Sequence, residues 1–438
     1  MYESITTPEV LQKFKEYVIT SCVKKLEPIV LVQGRGASVK DLEGREYIDC
    51  WSGIAVNNVG HCHPRVVEAA KSQLDELIHC CNYVYPTVPA ALLAENLSKV
   101  MPRKELKKTF FANSGAEAVE CALKIARKYT KKHEFIALQY SFHGRTIGTL
   151  SVTGQAGRRR ADMGPYLSGV AFTHAPYCYR CALGQEYPEC GLLCAKMVED
   201  AVNYSTSRDV AAFIAEPILG EGGIITPPPM YFAEVKKILD RYSILFIVDE
   251  VQTGFGRTGR TFGIEHYNVA PDIVCTAKAI AGGLPLGACT TTAPIGDSFE
   301  PGDHLSTFGG NPVACAAALA VLEILREEAL PDKAEETGQY LQARLRELQK
   351  SYPLIGDVRG KGFMIGVELV KNWETKEPAK EEADKIRDNM RNEGVLIGVG
   401  GPHGNVLRFQ PPLVIENLQI EKVLEAFEKS LKALQNNG

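Results

Sequence analysis

No stretch of this chain approaches the ~18 consecutive apolar residues that a membrane-crossing helix needs, although 45% of its 438 residues are hydrophobic. An excess of one charge is lacking too, since 49 Lys and Arg face 53 Asp and Glu for a formal net charge of −4. A balance this near neutrality gives no reason to expect nucleic acid or an anionic membrane as a partner. The one conspicuous basic run, Arg158, Arg159 and Arg160, reads as a solvated loop. No internal repeat and no low-complexity tract stands out. The N-terminal segment MYESITTPEVLQKFKEYV mixes acids with its bases, so it reads as an amphipathic helix and not as a signal peptide. Most of the 13 cysteines stand singly, which suits a reducing compartment, and a cytoplasmic soluble enzyme is the expectation.

The length suits one large domain and one smaller one, each burying its own core. Residues 28 to 60 read as short strands and turns (Ile29 to Val32, Ser38 to Leu42, Tyr47 to Cys50), punctuated by Gly34, Gly36, Gly44 and Gly53. From about residue 64, strand-length apolar runs alternate with helical patterns. They include Thr109 to Phe111, Phe135 to Leu138, Ala211 to Ala215, Ile244 to Val248 and Asp272 to Cys275. Such alternation predicts an α/β fold whose mostly parallel sheet is covered by helices on both faces. After Asn311 the pattern turns to long helices (Val313 to Arg326, Glu336 to Leu348), then strands at Phe363 to Leu369, Val395 to Gly398 and Val406 to Phe409. A last helix, Gln419 to Leu434, puts Val423, Leu424, Phe427, Leu431 and Leu434 on one face. Residues 1–60 and 321–438 are therefore expected to form a smaller α+β domain around a large domain of residues 61–320.

The strongest chemical signal is Asp249, which ends the apolar strand of SILFIVDEVQTGFGRTG, with Lys278 after the next strand in DIVCTAKAIAGGLPLG. A lysine amine can condense with the aldehyde of pyridoxal phosphate (PLP), and a buried carboxylate can keep the pyridine nitrogen protonated. Asn113-Ser114-Gly115-Ala116-Glu117 follows a strand and opens a helix. Ser114 and Glu117 match a capping box, and Gly115 lets backbone N–H groups approach an anion. In Ser141-Phe142-His143-Gly144-Arg145-Thr146, the aromatic can stack on a planar ring and the arginine can take a carboxylate. Core packing and a surface ion pair are the plainer readings of those two. Glu216 and Glu221, in the glycine-rich FIAEPILGEGG, suggest a site loop, though a surface loop reads similarly. Cys178, Cys181, Cys190 and Cys194 have a C-x2-C-x8-C-x3-C spacing that suits structural zinc or an iron–sulfur cluster, with free thiols or disulfides as the alternatives. His61 and His63 in GHCHP resemble a metal pair but read as loop residues.

From about Gly34 to the C-terminus the chain resembles the class III aminotransferases, the PLP fold type I group that contains 4-aminobutyrate, ornithine and acetylornithine aminotransferases. The motifs that carry the likeness are GIAVNNVGHCHP, NSGAEAVE, FHGRT, AEPILGEGG, VDEVQTGFGRTG, AKAIAGGLPLG, TFGGNP and LRFQPPL. The resemblance implies that Lys278 bonds the cofactor and later shuttles a proton, that Asp249 pairs with the ring nitrogen, and that Gln252 lies near the ring hydroxyl. It implies a phosphate site at Ser114, Gly115 and Ala116, stacking by Phe142, and a place for Glu216 among the cofactor-binding residues. Thr307 is expected to reach the phosphate of a neighbouring subunit, which implies a homodimer with sites at its interface. Arg408 is the implied α-carboxylate site, Glu221 its switch partner and Arg145 the anchor for a distal carboxylate. Ile54 and Trp51 resemble the wall of the substrate entrance. Some 4-aminobutyrate aminotransferases carry a C-x2-C pair bridging a cluster between subunits, which points the cysteines mildly the same way.

These residues lead to transamination from an ω-amino acid, 4-aminobutyrate foremost, to an α-keto acid such as 2-oxoglutarate. Ornithine or acetylornithine aminotransferase is the nearest rival, and a racemase or epimerase on the same fold is the alternative reaction. Intact Lys278 and Asp249 argue against a non-enzymatic binding protein. Replacing Lys278 with Ala is expected to abolish turnover; an unchanged rate of amino transfer in that variant would sink the assignment.

Overall fold

The computed structural model describes residues 5–21 and 26–435. Three N-terminal strands, β1 (Leu31–Arg35), β2 (Ser38–Asp41) and β3 (Glu46–Asp49), form an antiparallel meander. The central sheet contains β4 (Leu106–Ala112), β5 (Glu134–Leu138), β6 (Val170–Thr173), β7 (Val210–Ala215), β8 (Leu245–Asp249), β9 (Ile273–Thr276) and β10 (Gly287–Thr292). Their order is β4-β10-β9-β8-β7-β5-β6, and β10 alone runs against the rest. The C-terminal strands are β11 (Ile355–Lys361), β12 (Met364–Leu369), β13 (Val395–Leu396), β14 (Gly398–Gly400) and β15 (Val406–Phe409). Four of them make an antiparallel sheet, β11-β12-β15-β14, while β13 pairs in parallel with β3, so both ends of the chain share one sheet.

The central strands are apolar on both sides because both sides are covered. Side chains alternate along β7 and β8. Phe213, Ala215, Phe246 and Val248 pack with Val198, Val202, Phe232 and Val235 from the helices Leu193–Tyr204 and Tyr231–Arg241. Ala212, Ile214 and Ile247 face the other way, onto Ala118, Val119, Ala122 and Ile125 of the helix Gly115–Thr130. Each fully buried large side chain contributes roughly 1.5–3 kcal/mol of transfer free energy. Six strands pointing one way bring the C-terminal ends of β4, β5, β7, β8 and β9 to a common edge, where α/β sheets place their ligands.

The α/β sheet with helices on both faces matches the expectation from sequence, and every strand anticipated in its interior is present. β6 and β10 were not anticipated: β6 has only four residues, and β10 (GACTTT) lacks an apolar run. The single strand expected over Val395 to Gly398 is two, divided at Ile397 between two sheets. The N-terminal helix, Thr7–Tyr17, has a full capping box from Thr6 and Glu9, yet none of its residues is buried. No described helix is long and apolar enough to cross a membrane. The arginine run is not a solvated loop. It ends a π-helical turn, Ala156–Arg160, in which Arg160 lies 4.5 Å from the Tyr166 ring centroid and Arg159 is paired with an acid of the site.

Arg257 ties the chain's distant parts together. Fully buried, it donates from Nη2 to Asn58 Oδ1 at 2.5 Å and from Nη1 to the carbonyls of Phe363 (3.2 Å) and Pro411. Burial pushes its guanidinium down to about 9, against the pull of Asp49. Arg257→Leu strands three buried acceptors at about 1–3 kcal/mol each, so urea unfolding is expected to show a loss of at least about 3 kcal/mol.

Candidate active site

Asp249 is the last residue of β8 and is only 3% exposed. Its Oδ1 accepts from the backbone N–H of Val251 at 3.0 Å, and its Oδ2 lies 2.8 Å from His143 Nδ1. The carboxylate only accepts, so the imidazole proton on that side belongs to Nδ1. His143 stands in the loop after β5, held by its backbone N–H donating to Thr153 Oγ1 at 3.0 Å, and its buried Nε2 has no hydrogen-bond partner. Lys278 opens a short turn after β9 at φ 48, a left-handed conformation that a non-glycine residue rarely adopts. Burial drives its amine below the ordinary lysine range; Glu221, Asp249 and Glu216 oppose that without cancelling it. A lysine so depressed supplies neutral amine more readily.

These two residues face a cavity of about 350 Å³ that is also lined by Ser114, Gly115, Ala116, Phe142, Glu216, Glu221 and Gln252. Ser114 caps the helix by accepting from Glu117 N–H at 3.2 Å. The reciprocal half of the expected capping box does not form. Glu117 reaches one residue further back, to the backbone N–H and side-chain amide of Asn113, both at 2.9 Å. The amides of Gly115 and Ala116 are in the helix's first turn and have no intrahelical acceptor. A side chain at Gly115 would put its Cβ 2.8 Å from Val251 Cγ1, so the close approach of this turn to the cavity requires glycine. Glu216 braces two loops, accepting from Phe142 N–H at 2.9 Å and Gly220 N–H at 2.8 Å. Burial lifts its carboxyl to about 7, against the opposing pull of His143.

Glu221 is divided between two arginines: Oε1 is 2.5 Å from Arg408 Nη1, and Oε2 is 3.2 Å from Arg159 Nη2. Burial acts to raise its carboxyl, but the Arg408 charge and hydrogen bond outweigh it and hold the group at about 2. Arg408 itself sits behind Glu221 and does not line the cavity. Arg145 is exposed, its guanidinium 5.4 Å from the Phe142 ring centroid. Thr307 is exposed and outside the cavity, although its neighbour Ser306 accepts from the Asn113 side chain at 3.1 Å.

Ile54 belongs to a turn in which Ser52, Gly53, Ile54 and Ala55 all have positive φ (51, 60, 71 and 58). Left-handed geometry costs an L-residue about 1–2 kcal/mol, and the turn is held by specific bonds. Asp49 Oδ1 accepts from the backbone of Trp51 and Ser52, both at 2.9 Å, and Ser52 Oγ donates to the Gln410 carbonyl at 2.6 Å. His61 fixes the other Asp49 oxygen at 2.8 Å, and His63 caps a helix, so both histidines serve the loop. Sequence reasoning passed over His143, Asp49 and Arg159. His143 lay inside a quoted motif, but nothing local announced the partner 106 positions away.

The metal reading of the four cysteines gains no support. Cys178, Cys181, Cys190 and Cys194 line one small hollow beside His174. Burial, then the nearby Cys178 and Cys190, push the Cys194 thiol up to about 12. Among the described residues no three His, Cys, Asp or Glu side chains are disposed to hold a metal ion, and no described cysteine is in a disulfide.

The cavity's donors suit PLP: a buried carboxylate for a protonated ring nitrogen, a buried amine for the aldehyde, and glycine-gated amides for a phosphate. The sequence matches the Aminotransferase class-III family model over residues 20–431. It is 43% identical to a leucine/methionine racemase of Thermococcus litoralis, covering 97% of this chain and 95% of that one. An acetylornithine aminotransferase of Methanosarcina mazei is 44% identical over 96% of each chain. A probable 4-aminobutyrate aminotransferase of Bacillus subtilis is 39% identical over 98% of this chain and 99% of its own. Among solved structures, a PLP-bound amine transaminase from an uncultivated Pseudomonas species superposes with a TM-score of 0.89 at 33% identity, covering 95% of this chain and 98% of that one. The chain belongs to the class III aminotransferases, a family of PLP-dependent enzymes.

Removing the His143 ring leaves Asp249 with a single amide donor. A lost bond to a charged acceptor amounts to about 1.5–3 kcal/mol. His143→Leu is therefore expected to weaken PLP binding by roughly 10- to 100-fold, read by fluorescence titration of the apoenzyme.

Proposed function

We propose that the enzyme carries an amino group from an ω-amino acid, with 4-aminobutyrate as the best donor, to an α-keto acid such as 2-oxoglutarate. The observation that carries this reading is the Glu221–Arg408 pair at 2.5 Å behind the cavity. An α-keto acid brings a carboxylate next to its reacting carbon, whereas an ω-amine brings none. A buried arginine left bare opposite the second substrate would be costly. Glu221 covers Arg408 while the donor binds and moves aside for the acceptor. The Bacillus subtilis relative described as a probable 4-aminobutyrate aminotransferase supports the donor.

The remaining residues take roles consistent with their places. Bound PLP supplies an electron sink for breaking the donor's C–H bond. Asp249 holds positive charge at the ring nitrogen, with His143 fixing its orientation. Lys278 takes the proton from the donor's amine-bearing carbon and returns it on the other side of the exchange. Gly115 and Ala116 bind phosphate through their amides with Ser114 beside them; Phe142 packs on the ring; Gln252 lies near the ring hydroxyl; and Glu216 holds the flanking loops. Arg145 anchors the donor's distal carboxylate at the cavity mouth, where Ile54 forms part of the wall. Thr307 completes the phosphate site of a second copy in a homodimer. Its exposed flanks, Leu305 and Phe308, are apolar as an interface requires. Small-molecule substrates and a cytoplasmic location complete the reading.

Mixing the holoenzyme with 4-aminobutyrate alone is expected to release one equivalent of aldehyde product per site. Release from N-acetylornithine or ornithine instead would move the donor to that rival. The racemase relative defines another outcome: loss of optical rotation from leucine or methionine without any keto acid would replace transamination with racemisation.

A further inference from the structure

We propose that Arg159 is the station to which the Glu221 carboxylate retreats when a substrate carboxylate takes Arg408, making Arg159 a positioning residue that sets acceptor affinity. This inference rests on the reading that Arg408 receives the acceptor's α-carboxylate. One carboxylate is shared between two guanidiniums, Oε1 with Arg408 at 2.5 Å and Oε2 with Arg159 at 3.2 Å. All three side chains are largely buried, exposed by 3% (Arg408), 15% (Glu221) and 13% (Arg159).

Arg159 is held beside a cavity-lining ring, not in solvent. Its Nε donates to Gln155 Oε1 at 3.4 Å, and Gln155 in turn donates from Nε2 to the Tyr140 carbonyl at 3.1 Å. Its guanidinium carbon lies 5.5 Å from the ring centroid of Phe142, which lines the cavity. Arg159 is thus tied to the segment that leads from β5 into the site.

The physical need follows from burial. If Glu221 simply left Arg408, its charge would stand unpaired where desolvation costs several kcal/mol. Arg159 already holds the other oxygen, so a side-chain rotation releases Arg408 while a charge-assisted bond is kept. Without Arg159 the closed state loses one bond but keeps the Arg408 pair, whereas the opened state leaves Glu221 with neither arginine. The effect must therefore fall on substrates that need the opened state.

The test compares Arg159→Gln and Arg159→Lys holoenzymes with the unmodified one, with Arg408→Gln as a control. In Arg159→Gln the KM for 2-oxoglutarate is expected to rise roughly 10- to 100-fold, as for one lost charge-assisted bond. Its calorimetric Kd for the unreactive dicarboxylate glutarate should rise by a similar factor. The parameters for 4-aminobutyrate, which carries the same distal carboxylate but no α-carboxylate, are expected to move less than about threefold. Arg159→Lys keeps the charge and should recover part of the loss. Equal weakening of donor and acceptor would make Arg159 a distal-carboxylate anchor or a general structural residue and would overturn the proposal, as would no weakening of either. If Arg408→Gln leaves 2-oxoglutarate binding intact, the reading of Arg408 fails and the inference falls with it.

Discussion

The hydrogen bond between Asp249 and His143 expresses the constraint on which the rest of this structure depends, which is charge held where an apolar sheet ends. β8 is buried on both faces, and its final carboxylate cannot turn to water. Such a group persists only with donors built around it. His143 from the β5 loop and the Val251 amide supply them, so the ends of two strands must meet. Parallel strands arranged with β8 beside β7, and β7 beside β5, make that meeting possible.

A second set of charges lies behind the first and is organised from the C-terminal strands. Glu221 is gripped by Arg408 of β15 and by Arg159. The turn that follows is braced by Arg359 of β11, whose Nε donates to the carbonyls of Gly223 and Ile224 at 3.1 Å each. Arg359 also pairs at 2.8 Å with Glu368, a fully buried acid that Arg180 and Tyr177 of the cysteine-bearing insertion share. Burial raises that carboxyl, but Arg359, Tyr177 and Arg180 together outweigh it and leave it below the ordinary range. The insertion is therefore bonded into the scaffold of the Glu221 loop. Its arginine and its tyrosine fasten it there.

Backbone strain is placed with equal economy. Three non-glycine residues among the four from Ser52 to Ala55 adopt left-handed geometry beside the cavity, and the combined grip of Asp49, His61 and the Gln410 carbonyl makes that sustainable. Those partners come from β3, from the GHCHP loop and from the segment after β15. A strained turn held from both ends of the chain is one more reason that the N- and C-terminal segments share a sheet through β3 and β13.

Local chemistry determined much of this in advance. Apolar runs of strand length gave β4, β5, β7, β8 and β9, since a strand buried on both faces has no choice but to be apolar. Asp249 and Lys278 were legible because a charged residue directly after such a run is costly without a purpose. β6, with only four residues, and β10, which lacks an apolar run, left no mark; their neighbouring strands hold them in the sheet. The charge pairings were decided only by tertiary structure. Glu221 with Arg408 spans 187 positions, and Arg159 with Glu221 spans 62. The arginine run looked like a solvated surface, yet Arg159 pairs with Glu221. Sequence sets which residues carry charge or sulfur, but distance and orientation decide whether they meet, and those belong to the folded chain alone.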